Sequence, residues 1–114
     1  MLVDEDDDEL FALLDDEYAR SILVATSVEP MAADALAERC GASEPTIYRR
    51  IDRLESFGLL ASDQQLDPDG HHYKTYTARL ERVTIELEDG DLTVEVDRAE
   101  DAADRFTRLY KELR

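Results

Sequence analysis

The chain of 114 residues is poor in several residue types, and each scarcity excludes a class of protein. It contains a single cysteine, Cys40, so neither a disulfide-stapled secreted scaffold nor a zinc finger is expected. No apolar run approaches the roughly 18 residues that a membrane-spanning helix requires. The N-terminal residues lead into acids, where a signal peptide carries bases. These features predict a cytoplasmic protein.

Basic residues are also scarce. The chain has 13 of them against 29 acids, which gives a formal net charge of −16. Residues 1–38 carry −11 and residues 83–114 carry −5, whereas residues 39–82 are neutral. Eleven of the 13 bases are arginine, and this bias together with the acid excess resembles proteins of salt-loving microbes. Because molar salt screens charges beyond a few ångströms, repulsion between carboxylates then matters less.

The first half of the chain has the hydrophobic spacing of helices. Since 43% of the residues are hydrophobic, a folded domain is expected and not a disordered chain. We predict an acidic N-terminal tail over residues 1–9 and then one helix, or two short ones, over residues 10–26. A short helix over residues 31–40 should end at Gly41. The next helix should begin after the N-cap Ser43 and bury a stripe formed by Ile47, Ile51 and Leu54.

The second half has the signals of two β-hairpins. A turn at residues 67–70 precedes a strand-like segment over residues 72–77, and this pattern predicts a hairpin. Asp89-Gly90 joins two further strands over residues 82–97. A two-residue loop there sets the register, with one apolar face toward the core and one polar face toward water. The expected apolar pairs are Leu87 with Leu92, Ile85 with Val94 and Val83 with Val96.

This order of elements is that of a winged helix-turn-helix, in which the helix after the turn enters the DNA major groove. Residues 10–80 fit it, with Leu36-Ala37, Cys40-Gly41 and Ile47 at the places where two helices cross. Residues 35–60 resemble the helix-turn-helix of the ArsR-like winged-helix transcriptional regulators, of the acidic type seen in halophilic archaea. The resemblance implies a homodimer that regulates transcription by sequence-specific binding to duplex DNA.

Candidate DNA contacts lie on the helix after the turn and on the following hairpin. Arg49 and Arg50 are predicted to contact base edges, because arginine makes bidentate bonds to guanine, whereas Arg53 either reaches DNA or pairs with a neighbouring acid. A wing would place His71, His72 and Lys74 near the DNA backbone or minor groove, or leave them in a solvated turn. The remaining candidates are Ser43, Glu44, Pro45, Thr46 and Tyr48.

No metal or cofactor is predicted. Metal-sensing relatives use paired cysteines in the helix-turn-helix, or histidine with carboxylates on the terminal helix, and this chain has neither pattern. His71 and His72 are strand neighbours that point to opposite faces, so they would not share an ion. Cys40 is expected to be a small core thiol, and a redox switch at this position is the alternative. No nucleophile triad or phosphate loop is visible, so no enzymatic activity is expected.

Residues 81–114 are predicted to form the second hairpin and a C-terminal helix, both outside the simplest family pattern. The resemblance implies that the first and last helices pair two protomers, whose recognition helices then meet successive major grooves. The alternative is that the terminal helix covers the hairpin within one protomer. The helix residues predicted for dimerisation are Ala99, Ala102, Ala103, Phe106, Leu109, Tyr110 and Leu113.

The sequence also allows a different function. A winged-helix module can dock other proteins without binding DNA.

Overall fold

The computed structural model describes residues 5–99, and in this range four helices precede two β-hairpins. The helices are α1 (Glu5–Asp15), α2 (Glu17–Val28), α3 (Ala33–Cys40) and α4 (Glu44–Ser56). The strands are β1 (Leu60–Leu66), β2 (His72–Ala78), β3 (Leu80–Glu88) and β4 (Asp91–Arg98). The fold is therefore α+β, a helix-turn-helix followed by a wing, as the sequence predicts. In the range described, none of the helices combines the length and apolar character needed to cross a bilayer.

The N-terminal segment forms two helices. Helix α1 begins at Glu5, so the prediction of a tail over residues 1–9 is wrong for residues 5–9. Acidic side chains in the first turn suit the positive end of the helix dipole, which explains why this run is helical. The break before α2 falls at Asp16, whose carboxylate accepts a hydrogen bond from the Ala19 backbone N–H at 2.8 Å. Asp16 is thus the N-cap of α2.

The hydrophobic core joins all four helices to the first hairpin. The buried stripe predicted for α4 is confirmed, since Ile47, Ile51 and Leu54 are at most 1% exposed. Tyr76 of β2 completes the core, and its backbone pairs with Met31 in the segment between α2 and α3. The other core side chains are Leu10, Leu13, Ala19, Ile22, Leu23, Ala25, Ala33, Leu36, Ala37, Leu59 and Leu60.

The turn between α3 and α4 has the predicted chemistry. Gly41 takes the left-handed conformation at φ 64° and ψ 35°, and its backbone N–H donates to the Glu38 carbonyl at 3.2 Å. An L side chain at this φ is strained, which is why glycine ends the helix here. Cys40 precedes the turn and is half-buried against the core, and burial raises the pKa of its thiol.

The wing is the antiparallel pair β1–β2. Its register runs from Leu60 opposite Ala78 to Leu66 opposite His72. The predicted turn over residues 67–70 is present, with the Gly70 N–H donating to the Asp67 carbonyl at 2.8 Å. The hairpin therefore extends from the end of α4 and returns to the helical core at Tyr76.

The second hairpin has the predicted register but not the predicted burial. Leu87 pairs with Leu92, Ile85 with Val94 and Val83 with Val96, and the turn residues Asp89 and Gly90 both have positive φ, 53° and 83°. However, Ile85 is 54% exposed and Leu87 is 76% exposed. Among residues 5–99, only the end of the apolar face near Val94 and Val96 packs against the core. The prediction of a uniformly covered face is therefore wrong for this range.

An arginine at the end of β4 attaches this hairpin to α4. The Arg98 Nε and Nη2 atoms donate to the Phe57 carbonyl oxygen at 3.1 and 2.6 Å. The side chain passes over Gly58, where an added Cβ would lie 2.8 Å from Arg98 Nε. Glycine therefore allows the close approach as well as the positive φ of 71° at this position. The link connects the second hairpin with the carboxyl end of α4.

The predicted C-terminal helix lies outside the described residues. Ala99 is the one predicted dimerisation residue within them; it is half-buried, and its N–H donates to the Arg79 carbonyl at 2.6 Å. The others, Ala102, Ala103, Phe106, Leu109, Tyr110 and Leu113, lie in residues 100–114.

Candidate nucleic-acid interface

Helix α4 is fixed at its first turn by its own side chains. The Ser43 Oγ accepts a hydrogen bond from the Thr46 backbone N–H at 3.3 Å and donates to the Thr46 Oγ1 at 2.9 Å. Glu44 and Pro45 occupy the first turn, where an acid and a proline both suit the helix start. Ser43 is thus the predicted N-cap, and its hydroxyl serves the helix itself.

The outer face of α4 carries two free arginines. Because Ile47, Ile51 and Leu54 face the core, the opposite side of the helix is exposed, and it includes Arg49 and Arg53. Arg49 donates from Nη2 to the Thr46 Oγ1 at 3.3 Å. Among residues 5–99 neither arginine forms an ion pair, so both guanidinium groups remain able to reach a ligand.

Arg50, which is also predicted to contact a base edge, forms an ion pair within the domain. Its Nε and Nη2 donate to the two carboxylate oxygens of Asp16 at 3.1 and 3.2 Å. The guanidinium carbon also lies 5.7 Å from the centre of the Tyr18 ring. This bidentate pairing raises the pKa of Arg50 further, and the same hydrogen bonds hold the pKa of Asp16 below its usual value. Arg50 therefore links α4 to the start of α2, and a contact with a base edge would compete with this ion pair.

Asp16 has two roles that substitution can separate. We expect Asp16→Ala to lower the free energy of unfolding by about 2 kcal/mol, because it removes both the α2 cap and the partner of Arg50. Asp16→Asn keeps a capping oxygen and loses only the charge, so its cost should be about 1 kcal/mol or less. Urea unfolding measures both values. Asp15→Ala is the matched control, since Asp15 is exposed and its carboxylate caps nothing.

The same comparison at low pH tests the ion pair. A carboxyl whose folded pKa is depressed stabilises the fold fully above its unfolded pKa, about 3.9 for Asp, and loses this contribution as the pH falls through the folded value. The stability gap between wild type and Asp16→Asn should therefore be constant near neutral pH and close in acid. Two results would contradict the roles given to Asp16. One is a stability difference between wild type and Asp16→Asn that is unchanged in acid, and the other is an Asp16→Ala loss of stability no larger than that of Asp15→Ala.

The wing contributes the predicted histidines and lysine. His71 precedes β2, and His72 and Lys74 lie within it, all three exposed. His72 and Lys74 face α4 across a cleft of about 850 Å³, whereas Arg49 and Arg53 do not line this cleft. Glu44 and Tyr48 line it from the α4 side. The structure thus brings four of the predicted residues together and leaves the arginines on a neighbouring face.

The cleft also contains residues that the sequence reading missed. Asp52 and Glu55 follow Tyr48 along the same side of α4, and Asp34 belongs to α3. Helical spacing from Tyr48 could have placed Asp52 and Glu55 on this side. Tyr73 and Tyr76 of β2 could not have been assigned to it, because only the fold brings the wing against α4. The side of α4 that faces the wing is therefore acidic, and its outer face is basic.

Comparison with protein-family models gives one match. Residues 14–63 match a helix-turn-helix domain. The matched segment runs from the end of α1 to the middle of β1, and so contains α3, the Gly41 turn and α4. Comparison with curated proteins found no match. Helix-turn-helix domains place the helix after the turn against DNA, which makes α4 the candidate recognition helix.

Proposed function

We propose that this chain is a cytoplasmic transcriptional regulator of the ArsR-like type that binds duplex DNA sequence-specifically and has no enzymatic activity. In this proposal α4 enters the major groove and the β1–β2 wing lies along the backbone or the minor groove beside it. The acidic composition adapts the protein to molar salt, as in the halophilic archaeal proteins that it resembles.

One observation carries the proposal. Within a matched helix-turn-helix domain, Arg49 and Arg53 project from the exposed side of α4 and have no carboxylate partner among residues 5–99. Arginine reads guanine through two parallel hydrogen bonds and also binds phosphate oxygens. Arg50, which is held by Asp16, instead keeps the helix in position for these contacts.

The proposed regulator acts as a homodimer. A single recognition helix reads only a few base pairs, and twofold pairing places two such helices in successive major grooves. Two features support a partner surface: Ile85 and Leu87 are exposed on the second hairpin, and residues 100–114 carry the apolar stripe described above. Light scattering on the purified protein gives its molar mass and tests this part directly.

DNA readout is tested with a duplex selected from a random-sequence library in molar KCl. Fluorescence anisotropy then measures the affinity of each variant for that duplex. Arg49→Ala should weaken binding about tenfold or more, because a bidentate arginine–base contact contributes about 1–3 kcal/mol. Arg82→Ala is the charge-matched control, since Arg82 is exposed on β3, outside the helix-turn-helix and the wing, and should change the affinity less than twofold.

The alternative function makes a different prediction for the same experiment. If the domain docks proteins without binding DNA, the library yields no enriched duplex. Equal losses in Arg49→Ala and Arg82→Ala would indicate nonspecific charge attraction, which also contradicts base readout by α4. Circular dichroism of each variant verifies that the fold is intact.

A further inference from the structure

The cleft between α4 and the wing has the size and the charge of a ligand site. Its volume of about 850 Å³ lies within the range of small-molecule sites. Lys74 is the one lysine among its lining residues, which include no arginine. The negative charges come from four side chains on α3 and α4, namely Asp34, Glu44, Asp52 and Glu55. This charge distribution favours a cationic occupant.

A buried tyrosine borders the same space. Tyr76 is 5% exposed and lines the cleft. Its backbone is held by two hydrogen bonds with Met31, at 2.8 and 3.1 Å, so the position of the ring is set by the fold. Among residues 5–99 the hydroxyl has no hydrogen-bond partner in the protein. A buried polar group without a partner is unfavourable, and a ligand in the cleft would satisfy it.

The surroundings of Tyr76 keep its hydroxyl neutral. Burial raises the pKa of the Tyr76 phenol, and Tyr48, Glu55 and Asp52 act in the same direction. The oxygen of the protonated hydroxyl can accept a hydrogen bond from a ligand N–H. Tyr48 and Tyr73, each 47% exposed, add two further aromatic rings to the lining of the cleft. Aromatic faces attract organic cations, so rings and carboxylates favour the same chemistry.

We propose that this cleft binds a small organic polycation of the polyamine type. Its ammonium groups would bond to Asp52, Glu55 and the Tyr76 hydroxyl, and its methylene chain would lie against the tyrosine rings. An alkylammonium suits the site better than a metal ion, because the described residues contain no cluster of His, Cys, Asp and Glu able to hold one. Arg49 and Arg53 lie outside the cleft, so spermidine binding measured without DNA tests this site separately from the proposed base readout.

The test is a calorimetric titration of the full chain with spermidine at one fixed KCl concentration at which the protein is folded. Wild type should show saturable binding of one molecule per chain. Asp52→Asn/Glu55→Gln should weaken it at least tenfold, because both charge-assisted bonds to the ammonium groups are lost. The charge-matched control Glu86→Gln/Glu95→Gln, on the second hairpin, should stay within twofold of wild type.

Tyr76→Phe isolates the hydroxyl, since it keeps the ring and the packing. It should weaken spermidine binding about fivefold without lowering stability, because the lost group has no protein partner among the described residues. Equal losses in the cleft and control double variants would show diffuse attraction to an acidic surface and overturn the proposal. Tighter binding of a lysine-rich peptide of the same charge would identify a protein segment as the occupant and overturn it as well.

Discussion

The affinity of the chain for its DNA site is expected to stay constant or to rise as KCl increases from about 0.2 M to about 2 M. An ordinary basic regulator with six to ten phosphate contacts loses about a thousandfold or more over a far smaller change in salt, because its lysines and arginines displace counterions from DNA. Here the net charge is −16, so long-range repulsion opposes the approach of DNA at low salt. Salt suppresses that repulsion and leaves the short-range contacts of α4.

The acidic side of α4 supplies a local cause for the same effect. Asp52 and Glu55 lie on the recognition helix beside the wing, so their carboxylates come close to the DNA backbone in the proposed complex. Cations must then be taken up on binding, which reverses the sign of the usual salt dependence. Neutralising both residues, as in Asp52→Asn/Glu55→Gln, should make the affinity fall more steeply with salt than in wild type.

Anisotropy titrations of the selected duplex across the KCl series measure this slope. Glu86→Gln/Glu95→Gln removes the same charge from the second hairpin and should leave the local contribution unchanged. Circular dichroism at each KCl concentration shows that the protein is folded, since self-repulsion destabilises it at low salt. A steep loss of wild-type affinity with rising KCl would refute the mechanism.

Leu54→Ala is expected to lower the free energy of unfolding by about 3 kcal/mol. Leu54 is completely buried at the carboxyl end of the α4 stripe, so truncation removes its transfer energy and leaves a cavity in the packed core. Because the stripe orients α4, the loss should also weaken DNA binding under conditions in which the variant is partly unfolded.

Urea unfolding at fixed molar KCl measures this loss. Leu66→Ala is the matched control, because it makes the same chemical change at a residue that is 68% exposed on β1. Leu66→Ala should change the free energy of unfolding by less than about 0.5 kcal/mol. Similar costs for the two variants would mean that α4 does not pack as described.

Much of the candidate site was predictable because it depends on short-range interactions. The helix after the turn, its N-cap Ser43 and its buried stripe follow from residue type and spacing. The exposure of Arg49 follows from the same periodicity. The ion pair of Arg50 was not predictable, because its partner, Asp16, lies 34 positions earlier and spacing along one helix gives no information about such a contact.

By itself, the sequence determined the order of the elements, the Gly41 and Asp89-Gly90 turns and the register of the second hairpin. Each depends on backbone preferences and bonds within a few residues, which the local chain settles alone. The tertiary structure decided which arginines are free, how far Ile85 and Leu87 are covered, and that Tyr76 meets an acidic helix face. These three properties depend on contacts between segments that are distant in the sequence. Such contacts form only when the whole core packs.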